Sequence, residues 1–196
     1  MLSWSNRCAA TSPTTTCALW SSQTPSITTL RTSALPRDLT ARGIPHVLTN
    51  RILDHPESPS CSVDNASGAR KIAELLAELG HQRVAMVQGP VSTSTGRERA
   101  KALGDALRRR GVHVRRDEKL RTTFGHDTGR AVAGELLDRA DPPTAIVGGN
   151  DVIALGILSA ARERGLRVPE DLTVVGFDDI PMAGWPLIGT HGPRRP

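Results

Sequence analysis

Residues 144–179, TAIVGGNDVIALGILSAARERGLRVPEDLTVVGFDD, constrain the fold most, because they spell one complete strand–helix–strand unit. The apolar run 144–147 lies between Pro142-Pro143 and Gly148-Gly149, the profile of a fully buried strand. Asn150-Asp151 offers a helix cap, since a short amide or carboxylate accepts the orphan N–H groups of a first turn. Ile153, Leu155, Ile157, Leu158 and Ala161 recur at helical spacing up to Arg164, and Gly165 stands where the chain leaves the helix. Pro169-Glu170-Asp171 turns the chain into a second apolar strand, 172–175, ending in Gly176-Phe177-Asp178-Asp179. Two buried strands joined by a helix are parallel and connected right-handedly. Asn150 and Asp178 therefore emerge at one carboxyl edge, where open α/β sheets bind ligands.

The same alternation recurs upstream. A helix ends near residues 37–42, and a strand is expected at 43–48. A proline-containing loop follows at 53–61, and Val63 closes a short strand. Asp64-Asn65 can cap a helix over 66–79 with Ala69, Ile72, Leu75, Leu76 and Leu79 on one face. A strand is expected at 83–87, a Ser/Thr-rich loop at 91–95, a helix at 96–110 and a strand at 112–114. A further helix starts at Asp127 or Thr128, carries Ala131, Val132, Leu136 and Leu137 inward, and stops at 141–143. Four or five such alternations call for an α/β fold with mostly parallel sheets and flanking helices. The ends differ. Residues 1–33 hold fifteen Ser or Thr and no acidic residue, without period, so that segment is expected to be disordered. Residues 188–196 read as a loose tail, leaving 34–187 as the folded domain.

Composition narrows the function. The net charge of +5 is carried mostly by arginine, and no arm is continuously basic; Arg108-Arg109-Arg110 with Arg115-Arg116 reads as a solvated helix end. Cys8, Cys17 and Cys61 form no metal-spaced pattern, so no metal is expected and a reducing cytoplasm is the default. No secretory leader and no membrane-length apolar run is seen. No nucleophile elbow, phosphate loop, zinc helix or dinucleotide fingerprint occurs, the six histidines have no recognisable partners, and Asp178-Asp179 point different ways along a strand. We expect no enzyme and no cofactor. What remains are polar groups at strand ends: Asn50, the 93–99 segment, Asn150 and Asp178. They suit a hydroxylated or otherwise polar small molecule, although Asn150, Asp151 and Asp178 are equally the residue types of caps and turns.

The ordered set GIPHVLTNR, VDNASGARKIAELLAELGHQRVAMVQGP, GRERAKAL, PPTAIVGGNDVIALGILSAARERGLRVPEDLTVVGFDD and IPMAGWP resembles the effector-binding domain of LacI/GalR-type bacterial transcriptional repressors, over residues 35–186. The resemblance implies a periplasmic-binding-protein-like fold of two α/β lobes. It also implies a sugar, polyol or purine-like effector, a homodimer, and operator DNA read by an N-terminal helix-turn-helix. On this likeness Arg99 is the cleft arginine, Thr95 a nearby polar contact, and Asn150 and Asp178 the contacts to ligand hydroxyls. Asn50 falls where many members place an aspartate, and Phe124 where an aromatic often covers the ligand. Asp64 also matches, with capping as its expected role.

The chain departs from that pattern at both ends. Residues 1–33 hold no helical pair of the right periodicity, so the DNA-reading element and the early units of the first lobe are expected to be missing. At 189–193 a Gly-Thr-His-Gly-Pro run replaces the family's crossing strand. We hypothesise that both ends are translated out of frame; an intact locus without homologous flanking sequence in another frame would defeat the idea. The competing readings are a transporter's periplasmic-type sugar-binding protein, which shares the fold, and a non-functional gene fragment.

Overall fold

The computed structural model of the protein describes residues 34–53, 58–115 and 120–184. Its elements run α1 (Leu35–Ala41), β1 (Leu48–Thr49), β2 (Ser60–Cys61), α2 (Asn65–Glu78), β3 (Arg83–Val87), α3 (Ser94–Arg109), β4 (His113–Arg115), α4 (His126–Leu137), β5 (Ala145–Gly148), α5 (Asp151–Glu163) and β6 (Thr173–Val175), closing on a 3-10 turn at Pro181–Gly184. The expectations for residues 1–33 and 188–196, and for His55, Cys8 and Cys17, lie outside the described residues. The chain divides into two compact units, Met1–Asp64 with Ser92–Thr95, and Asn65–Val91 with Gly96–Pro196.

In the first unit, α1 starts with Pro36 in its opening turn, where the missing N–H costs nothing, and ends before Gly43 at φ 66°. The strand expected at 43–48 shrinks to Leu48–Thr49. Gly43 is left-handed and Pro45 has no donor, so neither supports a ladder. The partner strand is Ser60–Cys61, parallel to β1 in the register Leu48↔Ser60 and Thr49↔Cys61. It lies inside the segment expected as loop, before the expected Val63.

The second unit is a four-stranded parallel sheet of order β4-β3-β5-β6. Its two central strands are apolar on both faces, as a sheet covered by helices on both sides requires. Val84 and Met86 of β3 and Val147 of β5 pack with Ala69, Ala73 and Leu76 of α2 and Leu103 and Leu107 of α3. Ala85, Val87 and Ile146 point the other way, onto Leu136 of α4 and Ile153 and Ile157 of α5. Each fully buried Leu, Ile or Val contributes about 1.5–3 kcal/mol relative to exposure, so the two clusters hold the unit together.

The helices use their small residues inward. On α2 the buried stripe is Asn65, Gly68, Ala69, Ala73 and Leu76, whereas Leu75 and Leu79, expected on the inner face, are exposed. On α4 the buried positions are Gly129, Ala133, Gly134 and Leu136; Ala131 is exposed and Val132 half-buried. On α5 Leu155 and Leu158 are likewise only half-buried. The reason is close approach. A side chain on Gly156 would overlap the His126 carbonyl, and a Cβ on Gly129 would lie 2.9 Å from the Ile153 carbonyl.

Strand order places the site. From β3 the chain moves through α3 to β4 on one side, then through α4 to β5 on the other side of β3. Parallel sheets bind ligands outside the carboxyl ends of the strands where the winding direction reverses, here between β3 and β5.

Candidate functional site

The carboxyl ends of β3, β5 and β6 deliver Gln88-Gly89, Gly149-Asn150 and Gly176–Asp179 to one edge of the second unit. Arg99, one turn into α3, reaches under them and is 3% exposed. Its Nε donates to Asn65 Oδ1 at 2.8 Å, Nη1 to the Gly149 carbonyl at 2.8 Å and Nη2 to Asp178 Oδ1 at 2.6 Å. The guanidinium lies over the Phe177 ring, 3.8 Å from its centroid, a cation–π contact in a buried setting. Phe177 fits because Gly68 of α2 has no side chain: a Cβ there would stand 2.6 Å from the ring. Asn65 is itself 1% exposed, and its Nδ2 donates to Glu98 Oε2 at 2.9 Å.

A second set of bonds shapes the loop that carries Asp178. The Asp151 N–H donates to the Phe177 carbonyl at 2.8 Å, and Asp151 Oδ2 accepts from the Ile180 N–H at 2.8 Å. Gly176 makes room for the carboxylate: a Cβ there would overlap Asp151 Oδ1 and force it to shift. Burial pushes the Asp151 carboxyl above its ordinary range; the Ile180 N–H opposes this, and the Asp178 charge adds to the rise. Asp178 and Asp179 take φ of 105° and 57°, a left-handed conformation that costs an ordinary side chain free energy.

The six residues singled out from the sequence are therefore placed as follows. Arg99 and Asp178 touch. Asn150 caps α5, its side chain accepting from the Ile153 N–H at 2.9 Å, so the capping role is realised. Phe124 packs on Gly89, where any Cβ would overlap its ring. Thr95 and Asn50 belong to the first unit, where Arg51 joins them. Its Nη1 donates to Thr95 Oγ1 at 3.2 Å and to the Asn50 carbonyl at 2.7 Å, and Asn50 itself is left-handed at φ 55°.

Three further residues were missed as site residues. From the sequence Asn65 reads as a helix cap, and neither Phe177 nor Gln88 is assigned a role. Gln88 is 2% exposed; its Nε2 donates to the Val147 carbonyl at 3.2 Å, and its Oε1 has no partner among the described residues. A polar residue beside a glycine at the end of each of the two central strands, Gln88-Gly89 and Gly149-Asn150, was the available signal.

Elsewhere in the unit one arrangement resembles catalytic machinery. His126 contacts Asp127 Oδ1 at 2.9 Å and Ser159 Oγ at 3.0 Å, a Ser-His-Asp chain on paper. The Ser159 hydroxyl, however, is also bonded at 3.0 Å to the Leu155 carbonyl one turn back in its own helix, the usual bond of a serine inside a helix. Ser159 also lies inside α5, where backbone N–H groups are spent on the helix and form no oxyanion hole. Among the described residues no group of three or more His, Cys, Asp or Glu could hold a metal, and no helix is long and apolar enough to cross a membrane.

A parallel α/β unit with a polar cluster at its reversal point is the architecture of a small-molecule binding domain. The family model for the periplasmic binding protein-like domain matches residues 73–187, and the chain belongs to that family. Its relatives are regulators of the LacI type, as the sequence motifs implied. The chain is 42% identical over 165 residues to an HTH-type transcriptional regulator in the aml 5' region of Streptomyces limosus, covering 79% of this chain and 45% of that protein. It is 37% identical to the HTH-type transcriptional repressor CytR of Escherichia coli K12, covering 76% and 45%. Among solved structures, the CelR–cellobiose complex superimposes with a TM-score of 0.68 at 37% identity, over 77% of this chain and 47% of that one. A LacI transcriptional regulator from a Rhodococcus species gives 0.71 at 27% identity, over 80% and 57%. The chain thus spans just under half the length of these curated relatives.

Proposed function

We propose that this chain is the effector-sensing region of a bacterial transcriptional repressor, taking a sugar, polyol or purine-like molecule at the carboxyl edge of its second unit. The supporting observation is the buried Arg99 braced against Asp178 at the point where the sheet reverses. An aspartate there accepts ligand hydroxyls, Asn150 adds an amide, and Phe124 an apolar face. Relatives of the chain are repressors, and one neighbour is solved with cellobiose. On this reading the chain binds rather than transforms its ligand, works in the cytoplasm, and serves a homodimeric regulator that reads operator DNA.

A thermal-shift screen with cellobiose, other sugars, polyols, nucleosides and purines tests the proposal. At least one class is expected to raise the melting temperature, and Asp178→Gly, which removes the carboxylate but suits the backbone angle, should abolish that rise. A shift that survives Asp178→Gly would place the ligand elsewhere and defeat the site assignment.

A further inference from the structure

We infer that Asn65 is a positioning residue of the carboxyl-edge site: held by Glu98, its side-chain amide sets the in-plane orientation of the Arg99 guanidinium, and so which N–H groups face the edge. The inference rests on the effector-site reading above and names the residue that orders that site.

Both ends of the amide are engaged. Asn65 Oδ1 accepts from Arg99 Nε at 2.8 Å, and Nδ2 donates to Glu98 Oε2 at 2.9 Å. The reverse setting would put an NH2 group against the Nε–H and an oxygen against a carboxylate, so the chemistry allows only this one. Asn65 is 1% exposed, and an amide buried so deeply is costly unless it is bonded inside the protein. Glu98 and Arg99 are successive residues of α3, and their side chains leave the helix about 100° apart. Asn65, from α2, bonds both.

A guanidinium is a planar fork, so fixing one edge aims the others. With Nε turned to Asn65, Nη1 donates to the Gly149 carbonyl and Nη2 to Asp178 Oδ1, groups that follow β5 and β6 at the carboxyl edge. Phe177 lies against the guanidinium face. The same helix makes room for that ring, because Gly68 shares a face of α2 with Asn65 and a Cβ there would stand 2.6 Å from it. The first turn of α2 thus governs both the rotation of the cation and its stacking.

An asparagine at the start of a helix has an ordinary alternative role, capping, and the two roles separate by residue type. Aspartate caps as well as asparagine does. It also keeps an acceptor for Arg99 Nε, yet it has no donor for Glu98 and faces that carboxylate with a like charge at hydrogen-bond distance. Capping predicts that Asn65→Asp is silent. Positioning by an amide predicts a loss, relieved when Glu98 is replaced by a group that can donate.

The test uses the full 196-residue chain, with circular dichroism checking the fold of each variant. In isotopically labelled protein the NMR signal of the Arg99 Nε–H, assigned by its absence from Arg99→Lys, reports the bond without any ligand. Its exchange with solvent should quicken about tenfold or more in Asn65→Ala and in Asn65→Asp, the worth of one bond to a charged group. Combining Asn65→Asp with Glu98→Gln, whose amide can donate to the new carboxylate, should return it to within about threefold of the wild type. Calorimetric titration of cellobiose gives the second readout: its Kd should rise about tenfold in Asn65→Asp and recover in the double variant.

Unchanged Nε–H exchange in Asn65→Asp overturns the inference, and so does a loss that Glu98→Gln does not relieve. If Asn65→Ala does not fold, Asn65→Asp and its double variant decide the matter. Exchange that behaves as expected while cellobiose affinity fails to follow it also overturns the inference, since Asn65 would then order the arginine without serving the ligand. If cellobiose does not bind the wild type while exchange behaves as expected, the positioning of Arg99 stands and the cellobiose reading of the effector fails.

Discussion

The two edges of the four-stranded sheet are built from different chemistry. At the amino edge, His81 Nδ1 meets Thr144 Oγ1 at 3.0 Å and Nε2 meets Thr173 Oγ1 at 3.0 Å, stitching the entries of β5 and β6 with uncharged groups. Arg83 adds an ion pair to Asp141. At the carboxyl edge stand a buried cation, a buried carboxyl, an orphaned carboxamide oxygen and two successive left-handed aspartates. One edge satisfies its polar groups with hydroxyls, backbone and one exposed ion pair. The other stores strain and charge, as regions kept for ligands do. Stability and binding should therefore separate by edge.

Breaking the carboxyl edge gives the largest effect. Arg99→Met strips Asn65, the Gly149 carbonyl and Asp178 of their donor and should cost about 2–3 kcal/mol in urea unfolding, with all ligand-induced shift lost. A loss under 0.5 kcal/mol would show that the cluster contributes little to folding. Next comes Gly176→Ala, whose methyl collides with Asp151 Oδ1; about 2 kcal/mol and a clear weakening of ligand affinity are expected, since the Asp178 loop must move.

The amino edge sharpens the contrast. His81→Ala should cost about 1 kcal/mol while leaving ligand affinity unchanged within error; altered affinity would mean the edges are coupled. The smallest effect is one of pH. Burial lowers the His81 pKa from 6.5, so the folded state prefers the neutral ring. That contribution is full above pH 6.5. It falls as pH drops through 6.5, where the unfolded chain gains a proton first, and levels off below the folded pKa. Urea midpoints from pH 7.5 to 5 should show the loss in the wild type and a flatter slope in His81→Ala.

Much of the second unit was legible in the sequence, because β3 and β5 are short apolar runs bounded by glycine or proline, and the cap at Asn150 and the stop at Gly165 follow local rules. Helix faces were less legible. Counting Leu75 and Leu79 inward assumes that large apolar residues are buried, yet α2 approaches the sheet on Gly68, Ala69 and Ala73, which turns those leucines out. In the first unit, Gly43 and Pro45 cut the strand expected at 43–48 down to Leu48–Thr49, and the partner at Ser60–Cys61 carries no apolar signal. Within the site, Arg99 and Asp178 were named separately. Nothing local shows that they pair 79 residues apart, or that Asn65, 34 residues before Arg99, steers the guanidinium. Such contacts are properties of the fold and have no period to read.

The φ of 105° at Asp178 also bounds what directed evolution can do with this pocket. Asparagine and glycine tolerate positive φ, whereas a β-branched or bulky replacement there would be an outlier. A saturation library at that codon would be thinned by backbone conformation before selection for ligand began, while Asn150, in extended backbone at φ −154°, remains open to most side chains that can still cap a helix. New specificity is more accessible by varying the neighbours of Asp178 than by varying Asp178.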